Sequence, residues 1–135
     1  MPAFHFAQAL ARKTAAHKKL IARRNKPCPD SNGVFTRYQY PVVTPAHTPL
    51  YWRYDLNPKT NPFLMERLGI NVTFNPGALF FDGKYCLVVR TEGCDRKSFF
   101  AVAESKSPVE GFAFRPRPIV LPEVGAPTTN VYDMR

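Results

Sequence analysis

The sequence predicts a mostly β protein that begins with one α-helix. Proline is frequent, with 14 in 135 residues, which favours short elements and disfavours a long helical bundle. From residue 70 onward, short apolar runs alternate with turn residues, and the 11 Phe and 6 Tyr suit packed sheets. The chain is long enough for one domain with a core of its own.

The first 26 residues are a basic segment that is predicted to be helical over residues 3–24. Frequent alanines and an imperfect apolar stripe favour a helix. The segment holds seven Lys and Arg and no acidic residue, so the other 12 basic and 10 acidic residues contribute only +2 of the net charge of +9. We interpret the helix as one that packs through its apolar stripe and exposes its charged face to solvent. The alternative is a small basic module that binds nucleic acid or an acidic protein.

Residues 27–69 are predicted to contain a strand, a Pro-rich loop and a short helix. The apolar alternation over residues 33–43 is typical of a strand. Residues 44–60 contain three prolines and are predicted to be irregular. A short helix is predicted over residues 61–69, with Asn61 as its cap and a proline at its first position.

Residues 70–135 are predicted to form consecutive short strands. The predicted ranges are 72–81, 85–90, 98–104 and 112–120. Asp82-Gly83 is a hairpin signal between the first two. Four short strands joined by tight turns match one blade of a β-propeller, and residues 130–134 are expected to open the next blade.

Three polar residues stand where this β pattern predicts apolar ones, namely Asn75, Arg90 and Asp133. In a propeller, Asn75 and Asp133 would lie on the innermost strands of adjacent blades and face one cavity. Each residue also has a structural interpretation. Asn75 can shape a bulge, and Arg90 can form an ion pair with Glu92. Asp133 can be a solvated charge at a frayed end.

Other kinds of site lack their sequence signatures. The chain has no Gly-rich phosphate loop and no Ser-centred nucleophile elbow. Its histidines and cysteines lack metal-ligand spacing; they are His5, His17, His47, Cys28, Cys86 and Cys94. The odd cysteine set and the lack of a signal-peptide pattern predict a reduced, cytoplasmic setting. No apolar run reaches the roughly 18 residues that span a bilayer.

Several longer motifs occur together. They are TRYQYPV (36–42), AHTP (46–49), WRYDLN (52–57), NPFLMER (61–67), DRKSFFAVAES (95–105) and TNVYDMR (129–135). Over residues 25–135 the chain resembles the N-terminal third of the mannosylglucose phosphorylases of glycoside hydrolase family one hundred and thirty. The resemblance implies the family's five-bladed β-propeller. It also implies inverting phosphorolysis of β-mannosyl-(1→4)-glucose to α-mannose 1-phosphate and glucose.

The resemblance further implies roles for individual residues. Asp133 is the expected general acid, with its proton passing through the mannose 3-hydroxyl. Phosphate is already anionic and needs no base, so one carboxylate is enough. Asn75 and Arg90 are expected to hold the mannose in the −1 subsite. Arg96 is a further candidate for the same pocket or its support, because its fork of donors suits hydroxyls and oxyanions.

The expected ligands are the disaccharide and inorganic phosphate as co-substrate, without a metal or other cofactor. The family's phosphate-binding residues lie in later blades, beyond Arg135, so residues 1–135 alone are expected to be inactive and prone to associate. The full-length enzyme is expected to be a homo-oligomer with no nucleic-acid or membrane partner. Phosphorolysis of β-1,4-mannooligosaccharides is the alternative within the family.

Overall fold

The computed structural model describes residues 2–30, 32–122, 125 and 132–133. Helix α1 is followed by a 3-10 turn, a short helix α2 and four strands. Their bounds are α1 Pro2–Ile21, the 3-10 turn Pro45–His47, α2 Leu50–Arg53, β1 Ile70–Phe81, β2 Lys84–Gly93, β3 Ser98–Ser105 and β4 Ala113–Phe114. The strands form one antiparallel sheet in the order β1-β2-β3-β4. The predicted combination of an N-terminal helix with a mostly β body is confirmed.

The hairpin between β1 and β2 has the two-residue turn that the sequence predicts. Phe81 pairs with Lys84, and φ is +49° at Asp82 and +71° at Gly83. Two successive residues in the left-handed region give a turn whose twist matches that of the flanking strands. The turn therefore fixes the β1–β2 register near its tip.

One face of the sheet buries the larger of the two apolar clusters found among the described residues. Leu87 and Val89 of β2 pack with Ala103 of β3 and with Phe112, which is 2% exposed. Partly buried side chains from outside the sheet and along its rim cover this cluster; they are Val42, Val43, Tyr85 and Phe114. Apolar burial on this face anchors the strand that carries Arg90.

A second cluster joins α1 to the segment that precedes the sheet. Phe6 is buried against Tyr54 and Leu64. On the same side, Lys13 Nζ donates to the Tyr54 hydroxyl at 3.0 Å and lies 4.5 Å from the centre of its ring. Phe6 and Leu10 of the predicted apolar stripe thus pack against the body, whereas Ala11 and Ala15 of that stripe are exposed. Within the part of the chain that the structure describes, no helix is long and apolar enough to cross a membrane.

Hydrogen bonds of Asn25 hold the chain just after α1 in place. Its side-chain amide donates to the carbonyls of Tyr40 and Val109, both at 2.8 Å, and its Oδ1 accepts the Tyr40 N–H at 3.0 Å. Its own backbone N–H donates to Glu110 Oε2 at 2.7 Å. Since a buried amide is stable only when it is hydrogen-bonded, this set of partners holds the chain that follows α1 against residues 40 and 109–110.

The prediction of a strand over residues 33–43 is wrong. These described residues contain no strand, and the nearest pairing is an isolated bridge between Pro27 and Tyr38. Val34 is 86% exposed, and the Tyr40 backbone is bonded to the Asn25 side chain instead of a neighbouring strand. At that bridge the Cys28 N–H donates to the Arg37 carbonyl and the Gln39 N–H donates to the Lys26 carbonyl, a pairing that is too short to form a strand.

The helix predicted over residues 61–69 is also corrected. Leu64 has φ of +50°, which an α-helix does not admit. The Asn61 amide closes a turn by accepting the Met65 N–H and donating to the Asp55 and Met65 carbonyls. The short helix α2 lies earlier, inside the stretch that was predicted to be irregular.

The last predicted strands differ in extent from the structure. β4 is only two residues long, and Pro116 and Pro118 cannot donate to the ladder beyond it. Backbone contact continues irregularly where the Ile119 N–H donates to the Phe100 carbonyl at 2.8 Å. The strand expected over residues 130–134 lies mostly outside the described residues. Within that range, only Tyr132 and Asp133 are described.

Candidate active site

A bulge in β1 directs the Asn75 side chain. The register passes from the Phe74–Arg90 pair to the Gly77–Val88 pair, which leaves one extra residue on β1. Asn75 has φ of +45°, a conformation that Asn tolerates better than most residues. The structural interpretation of Asn75 as a bulge former is therefore confirmed. The bulged side chain also reaches Asp133, where Nδ2 donates to Oδ2 at 3.1 Å.

Arg90 lies on β2 with its guanidinium close to two aromatic rings. Cζ is 4.6 Å from the centre of the Phe74 ring and 5.0 Å from that of Tyr132. Nε donates to Ser98 Oγ at 3.3 Å, and Nη1 lies 3.9 Å from Asp133 Oδ1. The Arg90 side chain is only 12% exposed. Contacts with aromatic faces and a hydroxyl thus hold the cation in one place.

The alternative prediction, in which Arg90 forms an ion pair with Glu92, is wrong. Glu92 Oε1 instead lies 3.8 Å from Arg96 Nη1 and accepts from Asn71 Nδ2 at 3.1 Å. Arg90 faces Asp133, which is on a segment far away in sequence. The cation on β2 is therefore directed toward the predicted acid.

The Asp133 carboxylate accepts a hydrogen bond on Oδ2, and its Oδ1 lies 3.9 Å from Arg90 Nη1, which is an ion-pair distance and too long for a hydrogen bond. Asn75 contacts Oδ2, and Arg90 lies beside Oδ1. The Asp133 side chain is 23% exposed, so the interpretation of a fully solvated terminal charge does not describe this arrangement. An amide and a guanidinium orient the carboxyl group while part of it remains open to a ligand. Such an arrangement can hold a polar ligand and pass it a proton.

Arg96 is placed differently from the other three predicted site residues. It lies in the turn between β2 and β3 with φ of +66°, its side chain is 82% exposed, and it pairs with Glu92. The structure therefore brings Asn75, Arg90 and Asp133 into contact and places Arg96 at the surface beside Glu92.

Sequence reasoning missed three residues that surround Arg90, namely Phe74, Ser98 and Tyr132. If the hairpin register continued from Asp82-Gly83 without interruption, residue 75 would pair with residue 90. Because of the bulge, Phe74 pairs with Arg90 instead. Placing the bulge first would have identified Phe74. Ser98 pairs with Glu92, two positions along β2 from Arg90, which puts it on the same sheet face.

The shifted pKa values of the described residues belong to other parts of the fold. A hydrogen bond from Arg53, the largest effect, lowers the pKa of Glu66. A hydrogen bond from Arg115, again the largest effect, lowers the pKa of Glu104. These pairs tie the loop before β1 to α2 and β3 to the segment after β4. Among the described residues, no three His, Cys, Asp or Glu side chains group in a way that could hold a metal ion.

Comparison with known proteins gives one extensive similarity. No protein-family model matches the chain. The chain is 58% identical, over 130 residues and 96% of its length, to the 4-O-beta-D-mannosyl-D-glucose phosphorylase of Bacteroides fragilis. The match covers 33% of that protein, so the chain spans about one third of the length of the curated relative that it resembles.

Proposed function

We propose that this chain supplies the mannose-binding and proton-donating part of a phosphorylase that acts on 4-O-β-D-mannosyl-D-glucose. The observation that carries the proposal is the contact of Asp133 with Asn75, which is 58 residues away in sequence, and with Arg90. The similarity to an enzyme of that activity supports the choice of substrate. The ligands of the proposed enzyme are the disaccharide and inorganic phosphate, and its chemistry needs no other cofactor.

Asp133 is the proposed general acid. Cleavage of the glycosidic bond leaves negative charge on the departing glucose oxygen, and a proton delivered during bond breaking stabilises it. In the proposed reaction the proton leaves Asp133, passes through the mannose 3-hydroxyl and reaches that oxygen. Phosphate attacks the anomeric carbon from the opposite face. The products are α-mannose 1-phosphate and glucose, with inversion at that carbon.

Asn75 and Arg90 are the proposed ligands of the mannose. Their donors already converge on the Asp133 carboxylate, so a sugar hydroxyl bound there lies within their reach. The planar guanidinium of Arg90 holds hydroxyl oxygens in fixed directions. Arg96 is proposed as a peripheral contributor, since it reaches the site only if its exposed side chain changes partner from Glu92.

The remaining features of the proposed enzyme follow from the resemblance. We propose that the four-stranded sheet is one blade of a five-bladed β-propeller, in a homo-oligomeric, cytoplasmic enzyme. The phosphate-binding residues are proposed to come from blades that this chain does not contain. Assays of the isolated chain and of the proposed phosphorylase therefore have different expected results, with mannose 1-phosphate formed only by the phosphorylase.

Replacing the acid tests the proposal. In the proposed phosphorylase, Asp133→Asn removes the proton donor but keeps the size and polarity of the side chain. We expect the rate of mannose 1-phosphate release to fall by about two to four orders of magnitude, as for other positioned general acids. Asp82→Asn makes the same chemical change in the hairpin turn and is expected to leave the rate unchanged. A near-normal rate for Asp133→Asn would remove Asp133 from this role.

The same assay separates the two candidate substrates. Mannosylglucose gives glucose as the second product, whereas a β-1,4-mannooligosaccharide gives a shortened mannooligosaccharide or mannose. We expect efficient turnover with mannosylglucose. A clear preference for mannooligosaccharides would move the proposal to the alternative within the family without changing the role of Asp133.

A further inference from the structure

Arg90 is held by groups to which the proposed reaction gives no role. The ring of Phe74 lies over the guanidinium from β1, and Ser98 Oγ accepts its Nε–H from β3. Tyr132 contributes a second ring, 5.0 Å away. With the side chain 12% exposed, these neighbours leave the guanidinium little freedom to turn away from Asp133.

We propose that Ser98 and Phe74 are positioning residues that fix the direction in which Arg90 presents its donors to Asp133 and the sugar. This inference rests on the proposed function and extends it to residues that do not touch the reacting atoms. A guanidinium is planar, so the directions of its five N–H groups are fixed once its plane is fixed. Ser98 holds the Nε edge and Phe74 covers a face, which together set that plane and leave the Nη groups for Asp133 and the ligand.

The chemistry of the two neighbours suits this role. A serine hydroxyl accepts the Nε–H and still carries a proton of its own, so it does not neutralise Arg90 as a carboxylate would. The face of the Phe74 ring attracts the cation without competing for its N–H groups. Arg90 is therefore oriented while its Nη donors remain available for ligands.

The first measurement needs no enzymatic activity. We would follow the ¹⁵N-labelled Nε–Hε group of Arg90 by NMR and measure its hydrogen exchange with water. Ser98→Ala is expected to accelerate this exchange about tenfold, because one hydrogen bond to a charged group is lost. Ser98→Thr keeps the hydroxyl and is expected to retain slow exchange. Ser107→Ala is the matched control, because its hydroxyl accepts the Val109 N–H at 3.3 Å in a different loop.

The second measurement is steady-state kinetics of the proposed phosphorylase with mannosylglucose. Ser98→Ala is expected to lower kcat/KM about tenfold and Ser98→Thr to restore it. Phe74→Leu keeps the apolar packing but removes the aromatic face. It is expected to lower kcat/KM in the same way, which provides a second test if Ser98→Ala folds poorly.

The outcomes separate this inference from the proposed function. Unchanged Nε–Hε exchange in both Ser98→Ala and Phe74→Leu would overturn the positioning role. So would altered exchange with a normal kcat/KM, because the direction of Arg90 would then not matter for the reaction. If exchange responds as expected but the unsubstituted enzyme forms no mannose 1-phosphate, the proposed function fails and the positioning role stands.

Discussion

His47 is a buried residue of the 3-10 turn that contacts both the residue before the turn and helix α1. It is 4% exposed, and its Nδ1 accepts the Thr44 N–H at 3.0 Å. His17 Nε2 of α1 lies 3.1 Å from the His47 carbonyl oxygen. Burial, the largest effect, lowers the pKa of His47 below its ordinary value of 6.5, and the charges of Arg23 and His17 act in the same direction. The folded protein therefore favours neutral His47.

This preference makes stability depend on pH. The unfolded chain binds a proton at His47 near pH 6.5, whereas the folded protein binds it only at lower pH. The stabilising contribution is therefore present above pH 6.5 and is lost as the pH falls toward the folded pKa. We expect the free energy of unfolding, measured by urea denaturation, to decrease from pH 7.5 to pH 5.0. In His47→Asn, whose Oδ1 can still accept the Thr44 N–H, the decrease is expected to be smaller.

The comparison between the two proteins is the control for other titrating groups. The carboxylates with lowered pKa values, such as Glu66 and Glu104, titrate below this pH range and are the same in both. Equal losses of stability in the wild type and in His47→Asn would show that protonation of His47 does not affect folding.

At the scale of elements, the β1–β2 hairpin is the part of the fold that the sequence predicts most directly. Its turn needs two residues with positive φ, and Asp82-Gly83 provides them. An added Cβ at Gly83 would meet no atom within 4 Å, so steric contact with the rest of the protein does not constrain this position. The requirement for glycine there is conformational alone.

The hairpin provides a test of that requirement. Gly83→Ala is expected to destabilise the protein by about 1 kcal/mol, because alanine is strained at φ of +71°. Asp82→Asn at the neighbouring position is expected to be neutral, since Asn-Gly favours the same turn. The free energy of unfolding of both variants measures the difference. Equal stability of Gly83→Ala and the wild type would mean that the turn changes its conformation at no cost.

Other elements were mispredicted because side chains compete with regular backbone pairing. Asn61 was interpreted as a helix cap, yet its amide bonds to Met65 and Asp55 and closes a turn. The apolar alternation over residues 33–43 predicted a strand, yet the backbone N–H and carbonyl of Tyr40 form hydrogen bonds with the Asn25 side chain. Side chains that bond to the backbone of distant residues leave no periodic pattern in a sequence.

The candidate site was predicted from the sequence only in part. The residue pattern singled out Asn75, Arg90 and Asp133, and the family resemblance supplied their proposed roles. Phe74 was missed because its pairing with Arg90 depends on the bulge at Asn75, which shifts the register of β1 against β2 by one residue. Ser98 was missed because its place near Arg90 depends on the pairing of β2 with β3. A register cannot be written down until each bulge is located.

At the scale of the whole molecule, the basic N-terminal segment, which comprises α1 and the residues just after it, is joined to the body by several contacts that use its positive charges. Lys13 contacts Tyr54, the Arg23 guanidinium lies 3.6 Å from the centre of the Tyr40 ring, and Arg24 pairs with Glu110 at 2.7 Å. These contacts give part of the basic segment a role in packing. They favour the packing interpretation of the helix over that of a free nucleic-acid-binding module.

Asn25 is the residue on which this attachment most depends. Asn25→Ala leaves the carbonyls of Tyr40 and Val109 and the N–H of Tyr40 without this partner. Since each buried group left unpaired costs about 1–3 kcal/mol, we expect a loss of at least about 2 kcal/mol in the free energy of unfolding. Hydrogen exchange is expected to become faster in α1 and around Val109 together.

An exposed asparagine provides the control for this variant. Asn71 donates to Glu92 at 3.1 Å on the exposed surface, and Asn71→Ala is expected to change stability by less than about 0.5 kcal/mol. Faster exchange around Val109 without any change in α1 would show that Asn25 secures only the loop and not the helix.

Two of the contacts that hold α1, one near each end, have a mechanical consequence. The helix has 20 residues and is therefore about 30 Å long, at about 1.5 Å per residue. Asn25 lies just beyond one end, and Phe6 is buried near the other. A rod held only at Asn25 would turn a tilt of about 5° into a displacement of about 2.5 Å at its far end over that length. The burial of Phe6 limits this displacement. The aromatic contact near one end and the hydrogen bonds of Asn25 beyond the other therefore both restrict the direction of the helix.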